Sequence, residues 1–373
     1  MGGVRYNWRM PIRARAHVYS MQPYRPGKTP EQLMQSLGLS ELIKLSANEN
    51  PLGASPRAKE AILNALETIH RYPDGACTIL RDALSDFYGL PPDHFAFGNG
   101  SDELIHLFGV AYIEPGDGLM MGQPSFVRYE ASAQLNRATL QAIPLTPDFR
   151  HDLEAMANAI TERTKLVYIA NPNNPTGTIV SRAELERFLE RAPDHVLVIL
   201  DEAYFEYADH PDYPNGLDYV RAGRNVVVFR TFSKAYGLAG LRIGYAMGNP
   251  EFLDPIERVR EPFNVNTLAQ VAAAAALHDQ AHVAHTRALN REGLNLFSAA
   301  CERLGLRYVP SYANFLLIEI GERCAQVHQQ LLERGILTRT GEVFGMPTYL
   351  RVNTGTPEQN ARFVEALTDA LRE

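Results

Sequence analysis

The 373-residue chain contains only three cysteines, Cys77, Cys301 and Cys324. They are odd in number and widely spaced, which suggests neither a disulfide framework nor a zinc site and fits a reducing cytoplasm. Nowhere do about twenty apolar residues run together, so no transmembrane helix is expected. Basic residues are outnumbered, 36 Lys and Arg against 43 Asp and Glu, for a formal charge of -7. That balance argues against a nucleic-acid surface and leaves no polybasic patch for a membrane. Internal repeats and low-complexity tracts are lacking. Arg5, Arg9, Arg13 and Arg15 stand in an acid-free start that faintly resembles a transit peptide. The start lacks an apolar segment, so a secretory signal is not expected and a disordered beginning is the simpler expectation. What remains is ordinary globular composition, 45% hydrophobic, at a length that suits about two domains.

Lysine is scarce too. Of the 36 basic residues only Lys28, Lys44, Lys59, Lys165 and Lys234 are lysines. Arginine cannot be deprotonated, whereas a lysine amine, ordinarily of pKa about 10.4, can be tuned down and used as a nucleophile. Lys234 lies in TFSKAYGLAGLRIGYA, directly after the apolar run NVVVFR (225–230). The run reads as a buried parallel strand, which would deliver Thr231, Ser233 and Lys234 at its carboxyl end, where open α/β sheets bind ligands. Ser233 and Arg242 are anion-binding types, and Gly237 and Gly240 allow close backbone approach.

From about residue 46 to 261 short β-branched runs alternate with amphipathic stretches. The clearest strands are 95–97, 166–170, 196–200 and 225–230, with a helical pattern at Leu104, Leu107, Phe108 and Ala111. The alternation predicts a mostly parallel, helix-covered sheet. After Pro262 the pattern changes to an alanine-rich helix (268–277), a second helix (289–304), a strand (314–320) and a helix (324–334). The expected division is an N-terminal arm (1–45), a large α/β domain (46–262) and a smaller α+β domain (263–373).

Each of the four strands runs into a polar cluster. The first leads into GNGSDE, a glycine turn opening a helix whose unpaired N–H groups and positive dipole end suit a phosphate. Ser101, Asp102 and Glu103 would offer N–H groups there; plain helix capping explains the same residues equally well. The second leads into NPNNPTG, which presents Asn174 as a donor. The third leads into DEAY, with Asp201 at the strand end and Tyr204 three residues on. A carboxylate about 4 Å from a cation gains roughly 4 kcal/mol at an effective dielectric of about 20, while an N-cap is the plain alternative for Asp201.

These motifs together resemble the pyridoxal-phosphate-dependent aminotransferases of fold type I, and within them the histidinol-phosphate aminotransferase family. The resemblance spans about residues 23 to 356. It implies that Lys234 bonds pyridoxal 5'-phosphate covalently and then serves as general base and acid, its pKa lowered by burial and by Arg242. It further implies that Ser101, Asp102, Glu103, Thr231, Ser233 and Arg242 hold the phosphate, and that Asp201 pairs with the ring nitrogen. Asn174 and Tyr204 would reach the ring's phenolic oxygen. Phe126 in QPSF would stack on the ring where many relatives have tyrosine. Tyr72 in RYPDG would reach the phosphate of a neighbouring subunit, which makes a homodimer with shared sites an expectation of the resemblance.

On the substrate side, YLRVNTGT (349–356) resembles the terminal arginine motif of the aminotransferases and nominates Arg351 as the shared anion anchor, with Arg339 in ILTRTGEVFG as a second. PYRPGK and KLSANENPLG resemble the histidinol-phosphate branch. Tyr24 would help bind the substrate phosphate, and Asn48 would line the pocket, although a turn residue before Pro51 is an equal reading. The implied reaction converts histidinol phosphate and 2-oxoglutarate into imidazole acetol phosphate and glutamate with ping-pong kinetics. An aromatic amino acid or arylpyruvate aminotransferase is the alternative, followed by a phosphothreonine-type decarboxylase. A ligand-sensing regulator on the same fold would need a DNA-binding module, for which the residues ahead of Ser46 carry no helix-turn-helix pattern.

Overall fold

The computed structural model describes residues 12–23 and 27–372. Its strands, in chain order, are β1 (Ile43–Lys44), β2 (Phe95–Gly98), β3 (Gly118–Gln123), β4 (Thr139–Pro144), β5 (Thr164–Ala170), β6 (Leu197–Asp201), β7 (Val226–Thr231), β8 (Gly244–Met247), β9 (Arg307–Val309), β10 (Phe315–Glu319), β11 (Ile336–Leu337), β12 (Arg339–Thr340) and β13 (Tyr349–Asn353). Seven of them make one sheet in the order β2, β8, β7, β6, β5, β3, β4. From β4 to β7 the pairings are parallel, while β8 runs against both β7 and β2. Since β8 opposes both neighbours, β2 points the same way as β7. The carboxyl ends of β2, β5, β6 and β7 therefore share one edge.

Apolar runs on these strands are buried on both faces, which is why they are continuous and do not alternate. Val226, Val228, Val198 and Val167 pack into one core and Val227, Phe229, Ile199 and Tyr168 into the other. Each such side chain contributes about 1.5–3 kcal/mol by leaving water. The helix Ser101–Tyr112 covers the second face with Leu104, Ile105, Leu107 and Phe108, as its spacing predicts.

The second sheet is antiparallel, in the order β12, β13, β10, β9. Its core collects Phe297, Ile318, Leu350, Val352 and Phe363 and also takes in Ile43 and Leu45. Ile43 lies on β1 and Leu45 follows it; β1 pairs in parallel with β11, so the end of the expected arm is woven into the smaller unit. The alanine-rich helix Thr267–Leu277 lies the other way: Ala269, Ala272, Ala273 and Leu277 belong to the large sheet's core. The next helix, Gln280–Leu304, is longer than the 289–304 segment expected and bridges the two cores, with Val283 in one and Phe297 and Cys301 in the other. By packing, this helix therefore belongs to both units. Among the described residues no helix is long and apolar enough to cross a membrane.

Candidate active site

Lys234 stands three residues beyond the end of β7, in the turn that the strand's apolar run was expected to deliver. Among the described residues its Nζ meets the carbonyl of Ala47, at 3.5 Å, and lies 5.7 Å above the ring of Tyr204. Burial pushes the amine down from its ordinary 10.5 to about 8, and the nearby Arg351 cation adds to the fall. Arg242 also lowers it, but less than Arg351 does, so the expected cation contributes while the larger electrostatic effect comes from the smaller unit. Gly237 fixes the loop: it has φ +71°, and a Cβ there would lie 2.1 Å from the carbonyl oxygen of Gly53. The lysine turn and the Asn48–Gly53 segment can approach this closely only over glycine.

At the end of β2 the Gly98–Gly100 turn opens the Ser101–Tyr112 helix without a side-chain cap. This leaves the N–H groups of Ser101 and Asp102 without helical partners. Glu103 departs from expectation. Its N–H is spent on the carbonyl of Gly100 at 3.2 Å, and its carboxylate accepts from the Asn99 N–H at 2.6 Å and from Asn264 Nδ2 at 2.7 Å. Glu103 therefore has neither group free for a phosphate and shapes the turn instead. Arg242 faces the turn from φ +58° and sits 3.4 Å from Ser233 Oγ and 3.7 Å from Asp102 Oδ2. Thr231 is buried; its hydroxyl donates to the carbonyl of Ile243 and accepts from the Ser233 N–H, so it braces the loop.

Asp201 ends β6 and is buried. Oδ2 accepts from the hydroxyl of Tyr129 at 2.7 Å and Oδ1 from the Ala203 N–H at 3.2 Å. Burial raises its pKa from 3.8 to about 6, against the lowering effect of those two donors. A carboxylate held this deep without a cation is suited to receive one. Tyr129, absent from the sequence reading, is itself fixed by stacking on Tyr168 at 4.6 Å and meets Phe126 edge-on at 5.7 Å. Phe126 is half-buried at the start of the Val127–Asn136 helix.

Asn48 meets Tyr204: at φ +57°, a conformation asparagine tolerates, its Nδ2 donates to the Tyr204 hydroxyl at 2.8 Å. Its backbone is held from the smaller unit, the N–H by Asn353 Oδ1 and the carbonyl by Asn314 Nδ2, both at 3.0 Å. Its buried Oδ1 has no partner. Arg351, on β13, reaches across to donate to Asn174 Oδ1 and, at 2.9 Å, to the carbonyl of Ser46, while its buried Nε is unpartnered. Phe315 and Phe344 flank its guanidinium, and burial lowers its pKa to about 10. Arg339 lies opposite Arg351 in the β12–β13 register and is exposed. Tyr72 is 83% exposed and stacks on Phe263 at 4.9 Å. Tyr24 lies outside the described residues.

Beneath the site is a pair that sequence reasoning passed over. Glu202, the second residue of DEAY, accepts from Arg230 Nε and Nη2 at 2.9 and 2.7 Å, and Arg230 lies 3.3 Å from the Phe205 ring centre. An arginine ending a valine run is the signal that could have revealed it, since a buried cation requires a partner. Among the described residues no cluster of His, Cys, Asp and Glu could hold a metal ion.

Residues 40–367 match the aminotransferase class I and II family. The histidinol-phosphate aminotransferase of Moorella thermoacetica is 49% identical over 360 residues, covering 96% of this chain and 93% of its own. The crystal structure of the histidinol-phosphate aminotransferase of Sinorhizobium meliloti, in complex with pyridoxal-5'-phosphate, superimposes with a TM-score of 0.88 at 27% identity over 100% of this chain and 98% of that one. A double mutant of the aspartate aminotransferase of Thermus thermophilus gives 0.83 at 26% identity over 97% and 100%.

Proposed function

The chain belongs to the class I and II aminotransferase family, and we propose that the residues gathered at the edge of its large sheet carry out that chemistry with Lys234 at the centre. It is a histidinol-phosphate aminotransferase of histidine biosynthesis, with the fold of the type I pyridoxal-phosphate enzymes. Its cofactor is pyridoxal 5'-phosphate. The residues present fit that group on three observations. The helix start leaves N–H groups free beside Arg242 and Ser233. A buried carboxylate, Asp201, lacks a cation. The amide oxygen of Asn48 is buried without a partner.

When bound, the cofactor supplies an electron sink and a carbonyl at which nitrogen is exchanged. Asp201 would hold the ring-nitrogen proton, its own ionisation restored by that charge. Ser101, Asp102, Ser233 and Arg242 would hold the phosphate. Asn174 and Tyr204 would donate to the ring oxygen, and Phe126 would cover the ring face. With its pKa near 8, Lys234 Nζ removes the proton from the substrate carbon bearing nitrogen and returns it on the far side of the exchange. Arg351 would bind the carboxylate of 2-oxoglutarate or glutamate, and Arg339 with Tyr24 would receive the phosphate of histidinol phosphate. One site then serves both half-reactions in turn.

The observation that carries this reading is a buried lysine whose Nζ reaches a backbone carbonyl and which feels two arginines, Arg351 and Arg242, contributed by separate units. Homodimerisation is supported by the exposed side chains of Leu63, Leu66, Ile69, Tyr72 and Phe263, which a second subunit would cover. A cytoplasmic location is supported by three buried free thiols. The three-part division is proposed with the Gln280–Leu304 helix as the joint, in place of the expected boundary at Pro262. The test is a half-reaction without oxo acid: histidinol phosphate should convert the cofactor's absorption band at far lower concentration than phenylalanine. Equal response to both would replace this reading with an aromatic aminotransferase.

A further inference from the structure

We propose that Glu103, Asn264 and Arg260 form a positioning relay that ties the turn cradling the cofactor phosphate to the loop carrying Tyr72. The phosphate site of one subunit and the residue it lends to the next would then be set together. The inference rests on the reading that Tyr72 serves a neighbouring subunit.

The links are short and continuous. Glu103 Oε2 accepts from the Asn99 N–H at 2.6 Å and from Asn264 Nδ2 at 2.7 Å. The same Nδ2 reaches the carbonyl of Phe97 at 3.2 Å, so one amide holds both the strand end and the carboxylate that closes the turn. Arg260 Nη1 donates to Asn264 Oδ1 at 3.3 Å, and its Nη2 donates to the carbonyl of Gly75 at 2.8 Å, at the end of RYPDG. Glu257 balances the arginine's charge through a 2.6 Å contact with Nε. The neighbouring residue, Phe263, is held at φ +59°, a left-handed conformation unfavourable for a bulky side chain, with its ring against that of Tyr72. The Tyr72 loop is thus fastened to the same short segment that fastens Glu103.

The arrangement also solves an electrostatic problem. Glu103 is an anion in the same first helical turn as Ser101 and Asp102, the proposed phosphate cradle, where like charge repels. Two donors, Asn99 N–H and Asn264 Nδ2, hold its charge on the far side of the turn. Without Asn264 the carboxylate keeps one of these donors and can turn towards the phosphate, while Arg260 loses its grip on the segment that orients Tyr72.

The test is a double-mutant cycle on cofactor affinity, using the full chain and absorbance titration. Tyr72→Phe and Asn264→Ala should each weaken pyridoxal phosphate binding about tenfold, and the double variant only about 10–20-fold, since both act through one element. Binding of pyridoxal, which lacks the phosphate, should be unchanged by Asn264→Ala. If the losses multiply to about a hundredfold, the relay is refuted while the role of Tyr72 stands. If Tyr72→Phe alone changes nothing, the reading of Tyr72 fails and the relay with it. If pyridoxal binding falls equally, Asn264 is merely structural and the proposal is overturned. Glu103→Gln, which keeps the shape and weakens the link to Asn264, should repeat the pattern if Asn264→Ala does not fold.

Discussion

Removing the charge of Arg351 should raise the pKa of Lys234 and slow its chemistry near neutrality, even though no atom of the lysine is altered. In the folded chain the amine lies near 8 instead of 10.5, with burial as the first cause and Arg351 as the second. At pH 7 a pKa near 8 leaves about one lysine in ten neutral, whereas 10.5 would leave about one in three thousand, a difference of about 300-fold in available base. Arg351→Gln removes the cation and leaves a shorter, neutral polar side chain in its place. The pKa should then move up, and the neutral fraction at pH 7 should fall. Competitive labelling of the apoprotein with trace acetic anhydride across pH, read by mass spectrometry of the Lys234 peptide, gives the midpoint directly. The other four lysines provide comparison within one molecule. A wild-type midpoint near 10, or an unchanged midpoint in Arg351→Gln, would refute the reasoning.

Asp201→Asn should abolish activity yet stabilise the apoprotein at pH 7. Folding raises the Asp201 pKa from 3.8 to about 6, so the folded state binds the proton more tightly and stability falls as pH rises from about 4 to about 6. Above that window the penalty is about 3 kcal/mol, which asparagine escapes; urea unfolding at pH 4 and pH 7 checks both sign and size, and equal stability at pH 7 would contradict it. Gly237→Ala forces a Cβ to within 2.1 Å of the Gly53 oxygen at φ +71°, and should cost about 3 kcal/mol or more in the same assay. Loss of under about 0.5 kcal/mol would mean that the loops are not in this contact.

The strands that end at the site were legible because burial on both faces writes them as unbroken apolar runs, as in NVVVFR and LVYIA. Others were not. The residues of β3 (GLMMGQ) include two glycines, those of β4 (TLQAIP) end in proline and are only partly buried, and β8 hides in the glycine-rich lysine motif. The single strand that runs against its neighbours leaves no mark in local pattern, since direction depends on connections and not on composition. In the candidate site, motif position nominated Lys234, Asp201, Arg242 and Arg351. It could not show that Glu103 turns away, because an N-terminal carboxylate favours the helix start whether it caps or binds. Nor could it show Tyr129 beneath Asp201 or the Asn48–Tyr204 bond, which join residues 72 and 156 positions apart.

The most direct test of the account is to locate the cofactor on the chain. Pyridoxal phosphate added to the purified protein should, after borohydride reduction and digestion, appear as a mass increment on the single peptide that contains Lys234, and Lys234→Ala should carry none and have no transaminase activity. An increment on another lysine, or transamination at the wild-type rate by Lys234→Ala, would contradict the account.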